Sequence, residues 1–301
     1  MNINITGSDF DLNTYTLPTP FWLTFESDID APADALTLTF LGSDIPNIPM
    51  IKITGDFFFD GMVDLITRKT DGDGEKTVLH ARSLAGILLD SEISPGVRRI
   101  DDLTDVLWFC DCGGKLKGFL YDSYTPIGSM NFPKGTSAWR FLKTFCEQTM
   151  GYTPRISDDG YIISKPYSFD TVHDFDNVTP LAIQNNIDYT TPVTSVSVRN
   201  ERGIYSTIML NTNVYLPYLR TRHIIPGVSW VNFPELAAEK TIKESMLRHR
   251  TTTFTFPEIF SAKVGDGGVY NGEEKVVISV KHKLDGTGVK SVITIADREY
   301  L

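Results

Sequence analysis

The sequence predicts a β-rich α+β protein in which a small mixed unit separates two β domains. Three observations lead there. Apolar residues alternate with period 2 in the first and last thirds, they recur at helical spacing in the middle third, and one hairpin pattern occurs twice.

In the first third, Leu36 to Phe40 alternates apolar and Thr residues and predicts a half-buried strand. Strands follow at Ile51 to Thr54 and at Phe57 to Phe59, interrupted by Gly55-Asp56. Met62 to Thr67 and Thr77 to His80 flank Asp71-Gly72-Asp73-Gly74, a strong hairpin signal. Ser83 is placed to cap a short helix from Leu84 to Asp90, since its hydroxyl can accept from an orphan backbone N–H. Gly86 makes that helix marginal alone, so it must pack on the sheet, and Pro95-Gly96 ends the unit.

The middle third changes character. Leu103, Val106, Leu107 and Cys110 share helical spacing between Asp101 and Cys110. A second helix runs from Ser137 to Met150 with Ala138, Phe141, Leu142 and Phe145 on one face, capped by Thr136 or Ser137 and stopped by Gly151. Between them Gly113-Gly114 and Tyr121 to Phe132 read as strand and turn, and Tyr161 to Ile163 as a short strand. The last third returns to strands at Val193–Val198, Ser206–Leu210, Val276–Val280 and Val289–Ala296. One helix interrupts them over 234–250, with Pro234 at its first position, Glu235 at the positive end, a Glu239–Lys243 pair, and Arg248 and Arg250 at the negative end. The boundaries expected are 1–95, 96–190 and 191–301, the last carrying an inserted segment with that helix.

The 301 residues carry 28 Lys+Arg against 38 Asp+Glu, a net charge of −10, and 41% hydrophobic residues, an ordinary globular composition. No apolar run approaches the ~20 residues that cross a bilayer as a helix. The N-terminal stretch lacks the basic and apolar blocks of a secretory signal, and three Cys fit a reducing compartment better than a disulfide framework. A pI near 5.0 disfavours tight binding to nucleic acid. The acidic excess is local: residues 1–95 are −10, residues 96–190 are −3 and residues 191–301 are +3. Either the first domain is simply acidic and soluble, or opposite charges on the first and last thirds guide an interface.

The repeated pattern aligns without gaps. Val63/Val277, Lys69/Lys283, Asp71/Asp285, Gly72/Gly286, Gly74/Gly288, Lys76/Lys290 and Val78/Val292 match, each copy reading strand, D-G-x-G turn, strand. Upstream, Thr37-Leu38-Thr39-Phe40 resembles Ser195-Val196-Ser197-Val198, leaving an excess in the second copy that would hold the helix from Pro234. Shared turn preference explains such a match without common origin. Duplication of a β domain explains it too, and predicts one strand order in both copies.

Searches for catalytic chemistry return nothing specific. G-x-S-x-G, a P-loop and H-E-x-x-H are absent, and the five His share no ligand spacing. Cys110-Asp111-Cys112 has no second pair to complete a metal site. Asp71-x-Asp73-x-Glu75 imitates a calcium loop, but Lys76 and Arg82 stand where its Gly and bidentate Glu belong, so a hairpin turn is favoured. Among 38 carboxylates some pair always lies at glycosidase separation, so the count supports no mechanism. Trp108, Trp139 and Trp230 read as core or interface anchors. No catalytic residue, cofactor or metal is expected.

The stretch from Gly55 through Gly61 and Val63, then Ala81-Arg82-Ser83, Leu89-Asp90 and Pro95, followed by Asp101 or Asp102 to Leu107, resembles the baseplate hub proteins of contractile-tailed phages. Among these it is most similar to the hubs of PBSX-like prophages and tailocins. The strand Val277 to His282 carries the same resemblance. The resemblance implies two tail-tube-like β-barrel or sandwich domains with a small α+β domain inserted. It further implies a non-enzymatic homotrimer, forming a pseudo-sixfold ring between a sixfold tail tube and a threefold central spike. The implied partners are a tail tube or distal tube protein, a separate spike protein and other baseplate proteins, with DNA only as a passenger through the channel. The spike is expected to be separate because the chain ends at Leu301, just after the second hairpin, without the appended domains of type VI secretion hub–spike fusions. The implied location is a virion baseplate or phage-tail-like particle made in the bacterial cytoplasm. The alternatives are a tail-associated peptidoglycan hydrolase and a carbohydrate-binding adhesion module.

Overall fold

The computed structural model describes residues 2–42, 44–72, 74–110, 113–200, 202–225 and 234–301. Asp73, Asp111, Cys112 and Trp230, named above, lie outside the described residues. The chain divides into two compact units. The first takes the residues up to Tyr167, Thr255–Val264 and Ser279–Ile293; the second takes Ser168–Phe254, Gly265–Ile278 and Thr294–Leu301.

The elements up to Tyr167 are β1 (Ile3–Ser8), β2 (Thr14–Thr16), β3 (Trp22–Asp28), β4 (Ala35–Leu41), β5 (Met50–Gly55), β6 (Phe59–Asp71), β7 (Gly74–Ser83), α1 (Ala85–Asp90), β8 (Gly96–Arg99), α2 (Leu103–Phe109), β9 (Gly118–Tyr121), β10 (Ser129–Phe132), α3 (Ala138–Thr149), β11 (Arg155–Ile156) and β12 (Tyr161–Ser164). The rest are β13 (Val172–Asp174), β14 (Ala182–Ile187), β15 (Ser195–Arg199), β16 (Tyr205–Leu210), β17 (Thr221–Ile224), α4 (Pro234–Met246), β18 (Arg250–Phe256), β19 (Gly267–Tyr270), β20 (Glu273–Asp285) and β21 (Gly288–Asp297).

In the first unit the strands run in the order β3-β4-β7-β6-β5-β1-β2. The alternation read at Leu36 to Phe40 is real: Leu36, Leu38 and Phe40 are buried, joined by Leu23, Ile51, Ile53 and Leu79. A separate core lies between α2, α3 and the small strands, where Val106, Cys110, Ala138, Phe141, Leu142, Phe145, Cys146 and Ile162 pack together. Phe141 meets Phe132 edge-on at 5.0 Å and stacks with Phe145 at 6.3 Å. Both helices there start as the sequence implies. Asp102 accepts from the Thr104 and Asp105 amides in a capping box, and Ser137 accepts from the Arg140 amide.

Three local expectations are corrected. Phe57 and Phe58 lie in the turn before β6, because the chain must reverse after Gly55 (φ 120°). Ser83 does not cap α1; it is still in the β7 ladder, and its hydroxyl accepts from the Asp34 amide at 2.9 Å. The helix from Pro234 ends at Met246, and Arg250 opens β18, where the β-branched run Thr251-Thr252-Thr253 favours a strand.

In the second unit, β15 is flanked by β16 and β17 in a sheet of its own. Val196 and Val198 of β15 pack against Ala238, Ile242 and Met246, one face of α4. Ser195–Val198 is therefore not the counterpart of Thr37–Phe40. The counterpart is Thr253-Phe254-Thr255-Phe256 in β18, which neighbours β21 as β4 neighbours β7. Thr37 Oγ1 meets His80 of β7 at 3.1 Å, and Thr253 Oγ1 meets Thr294 of β21 at 3.1 Å.

Candidate assembly surface

The two hairpins match residue for residue. An offset of 214 (277 − 63) carries Phe59 to Glu273, Asp71 to Asp285, Gly74 to Gly288 and Ser83 to Asp297, which are the bounds of β20 and β21. The neighbouring strand also repeats. Met50–Ile53 of β5 pairs antiparallel with Met62–Phe59, and Gly267–Tyr270 of β19 pairs antiparallel with Val276–Glu273. The Val63 amide donates to the Pro49 carbonyl and the Val277 amide to the Asp266 carbonyl, each at 2.9 Å. The strand order β3-β4-β7-β6-β5 thus recurs as β14-β18-β21-β20-β19.

The turn residues sit where the pattern put them. Gly74 (φ 104°) and Gly288 (φ 115°) open the returning strands in a conformation that only glycine adopts without strain. Gly72 and Gly286 occupy open space in the turns. Asp71 ion-pairs with Lys69 at 3.2 Å and with Lys76 at 3.7 Å. Asp285 is held well below the usual carboxylate range by Lys283 at 2.7 Å and by the Thr287 hydroxyl and amide.

The residues behind the resemblance gather around Arg82. Its guanidinium grips both oxygens of Asp64, at 2.6 and 2.9 Å, and reaches Asp90 at 2.5 Å. Those carboxylates, Asp64 first, push the Arg82 pKa up, and Arg82 in turn lowers that of Asp90. Gly61 lies beneath the β7 backbone, where a Cβ would stand 2.2 Å from the Arg82 carbonyl oxygen. Val63 flanks a register shift in β6, and Ala81 pairs with both Val63 and Leu36. Leu89 is at the surface, and Pro95 is exposed, its carbonyl accepting from Arg98 at 3.0 Å. These two and His282 do not join the Arg82 group.

His282 is buried instead against Phe25, with Nδ1 2.9 Å from Ser291 Oγ. Burial drives its pKa down to about 4, so the ring is neutral near pH 7. Sequence reading missed Asp64, Phe25 and Ser291. Asp64 and Ser291 left a signal, since both lie inside the aligned repeat, after Val63 and before Val292.

Trp108 is 71% exposed and Trp139 packs on the α2–α3 core. Cys110 and Cys146 are buried there, the latter with its thiol pushed up to about 12 by desolvation. A depression in the first unit brings Asp60, Asp158 and Asp159 near Lys52, Lys115 and Lys117. Asp60 pairs with Lys52 at 3.5 Å and Asp158 with Lys263 at 2.6 Å.

Among the open strand edges of the described residues, two belong to the repeated sheets. β6 has β5 as its neighbour only over Phe59–Met62, leaving Leu65–Thr70 without a strand on that side. β14 has β18 on one side and none on the other.

No protein-family model matches the chain, and no curated protein matches its sequence. Solved structures do match. The tail protein from Neisseria meningitidis superposes with a TM-score of 0.78 at 12% identity, covering 100% of this chain and 98% of that one. The prophage MuSo2 43 kDa tail protein from Shewanella oneidensis gives 0.75 at 14% identity and 99% of both chains. A component of the E. coli type VI secretion system gives 0.61 at 7% identity, over 99% of this chain and 77% of that one. The chain accordingly has the β-rich α+β fold of phage and prophage tail proteins.

Proposed function

We propose that the chain is a structural baseplate hub, three copies of which form a pseudo-sixfold ring between a sixfold tail tube and a threefold spike. The observation that carries this reading is the five-strand order repeated within one chain, with the same register where β5 joins β6 and where β19 joins β20. A threefold object offers a sixfold one equivalent contacts only if each subunit presents its contact surface twice. In this reading residues 1–95 and 191–301, the latter joined by β14 (Ala182–Ile187), supply the two tube-like surfaces, and the rest of 96–190 decorates them. The partners are the tail tube or distal tube protein, a separate spike and other baseplate proteins, and DNA passes through the channel without being held. The hub works in the virion baseplate or in a tailocin-like particle, after synthesis in the bacterial cytoplasm.

The reading needs no catalysis. Of the three carboxylates in the depression, Asp60 pairs with Lys52 and Asp158 with Lys263. The test is native mass spectrometry and electron microscopy of the chain with its tube and spike partners. Three chains per ring with six similar outer lobes are expected. Six or two chains per ring, or hydrolysis of purified peptidoglycan lost on Asp158→Asn, overturn the proposal.

A further inference from the structure

The repeat is incomplete in one respect. In the second copy, Ser279–Leu284 of β20 pairs antiparallel with Asp28–Leu23 of β3. In the first copy the equivalent stretch, Leu65–Thr70 of β6, has no such strand among the described residues. The Val63–Pro49 bond and its equivalent Val277–Asp266 show that the preceding loop leaves the strand at the same place in both copies. That loop meets the stretch only where the Arg68 side chain donates to the Ile45 carbonyl and Asn47 Oδ1, and no strand of it pairs with Leu65–Thr70 among the described residues.

The missing strand also has an equivalent. β14 flanks β18 as β3 flanks β4. The Asp188 amide donates to the His249 carbonyl at 2.8 Å and Thr252 bonds Asn185, which places Asn185 opposite Thr252. Phe25 sits opposite Leu36, the counterpart of Thr252, so Asn185 corresponds to Phe25. β3 spends its outer edge on β20, whereas the outer edge of β14 is open.

We propose that β14 of one chain pairs antiparallel with Leu65–Thr70 of β6 in a second copy, in the register that β3 uses on β20. The transferred register sets Leu65 opposite Asp188, Ile66 opposite Ile187, Thr67 opposite Asn186, Arg68 opposite Asn185, Lys69 opposite Gln184 and Thr70 opposite Ile183. A second copy is the occupant because the pairing already exists once within the chain. The side chains agree with it. Edge strands of monomers usually carry charges or Pro against such pairing, but β14 (AIQNNI) has neither. Ile183 and Ile187 are 48% and 55% exposed and Leu65 is 53% exposed. Ile66 is partly open where its equivalent Val280 is buried. Each chain thus offers one donor and one acceptor edge, a head-to-tail contact that builds a ring when its rotation closes. The inference rests on the hub reading only for the number of chains in that ring.

The test mixes two single variants of the full chain, Ile66→Cys and Ile187→Cys, over a concentration series under oxidising conditions. Disulfide-linked pairs are expected at least tenfold above those from Ile66→Cys with Asn186→Cys, whose side chain points to the other face. A second matched pair, Thr67→Cys with Asn186→Cys, is expected to link as well, which guards against one variant failing to fold. No link from either matched pair, or equal linking from the shifted pair, overturns the inference. Three-chain rings without the link leave the hub reading standing and refute this pairing. Links within rings of another copy number do the reverse.

Discussion

The His282 imidazole lies against the Phe25 ring, centroids 5.5 Å apart and planes 19° from parallel, while Nδ1 keeps one polar contact, to Ser291 Oγ. A buried neutral histidine ties stability to acid. With its pKa near 4 in the fold and near 6.5 when unfolded, only the unfolded chain takes up the proton between those values. Stability is complete above about pH 7, falls as pH drops from 6.5 towards 4, and levels off below. The loss reaches about 3 kcal/mol. Thermal melting of wild type and His282→Phe across that range checks it, the variant having the flatter curve.

Arg82 holds β6, β7 and α1 together through Asp64 and Asp90. Lysine keeps the charge but cannot grip both oxygens of Asp64, so Arg82→Lys is expected to cost about 1 kcal/mol. Asp90→Asn costs less, since Asp90 is largely exposed. Urea titration of both variants measures the order.

Gly61→Ala places a methyl group 2.2 Å from a backbone carbonyl that cannot turn aside. A loss of about 3 kcal/mol is expected. Gly72→Ala meets nothing within 4 Å, and its melting temperature should stay close to wild type. Equal effects at both sites would refute the close approach at Gly61.

Residues 1–95 carry −10 and residues 191–301 carry +3. Where these segments meet around a ring, added salt weakens their attraction, the screening length falling from ~10 Å at about 0.1 M to ~3 Å at about 1 M. Light scattering should show slower ring formation at high salt, and reversal of the exposed Arg222 and Arg250 to Glu should slow it further. Assembly indifferent to both would remove charge as a guide.

Much of the local structure was legible because it depends on local physics. Alternation at Leu36–Phe40, the helix face of Phe141, Leu142 and Phe145, and the Asp71–Gly74 and Asp285–Gly288 turns follow from side-chain period and backbone sterics. Ser83 misled because a hydroxyl near a helix start caps equally well on paper whether or not its backbone is still paired in a strand. The match of Thr37–Phe40 to Ser195–Val198, where the structure puts Thr253–Phe256, failed for a related reason. Both are alternating β-branched runs, and pattern alone carries no record of which strand lies beside which.

The amino-acid order by itself determined the β-rich α+β class and the two hairpins with their gapless alignment, since period, turn residues and Gly placement are properties of short segments. Only the tertiary structure decided that β18 partners β21, that His282 is buried beside Phe25, and that β6 and β14 end with open edges. Strand neighbours are set by long-range hydrogen bonds between segments far apart in the chain, and short-range sequence patterns do not encode them.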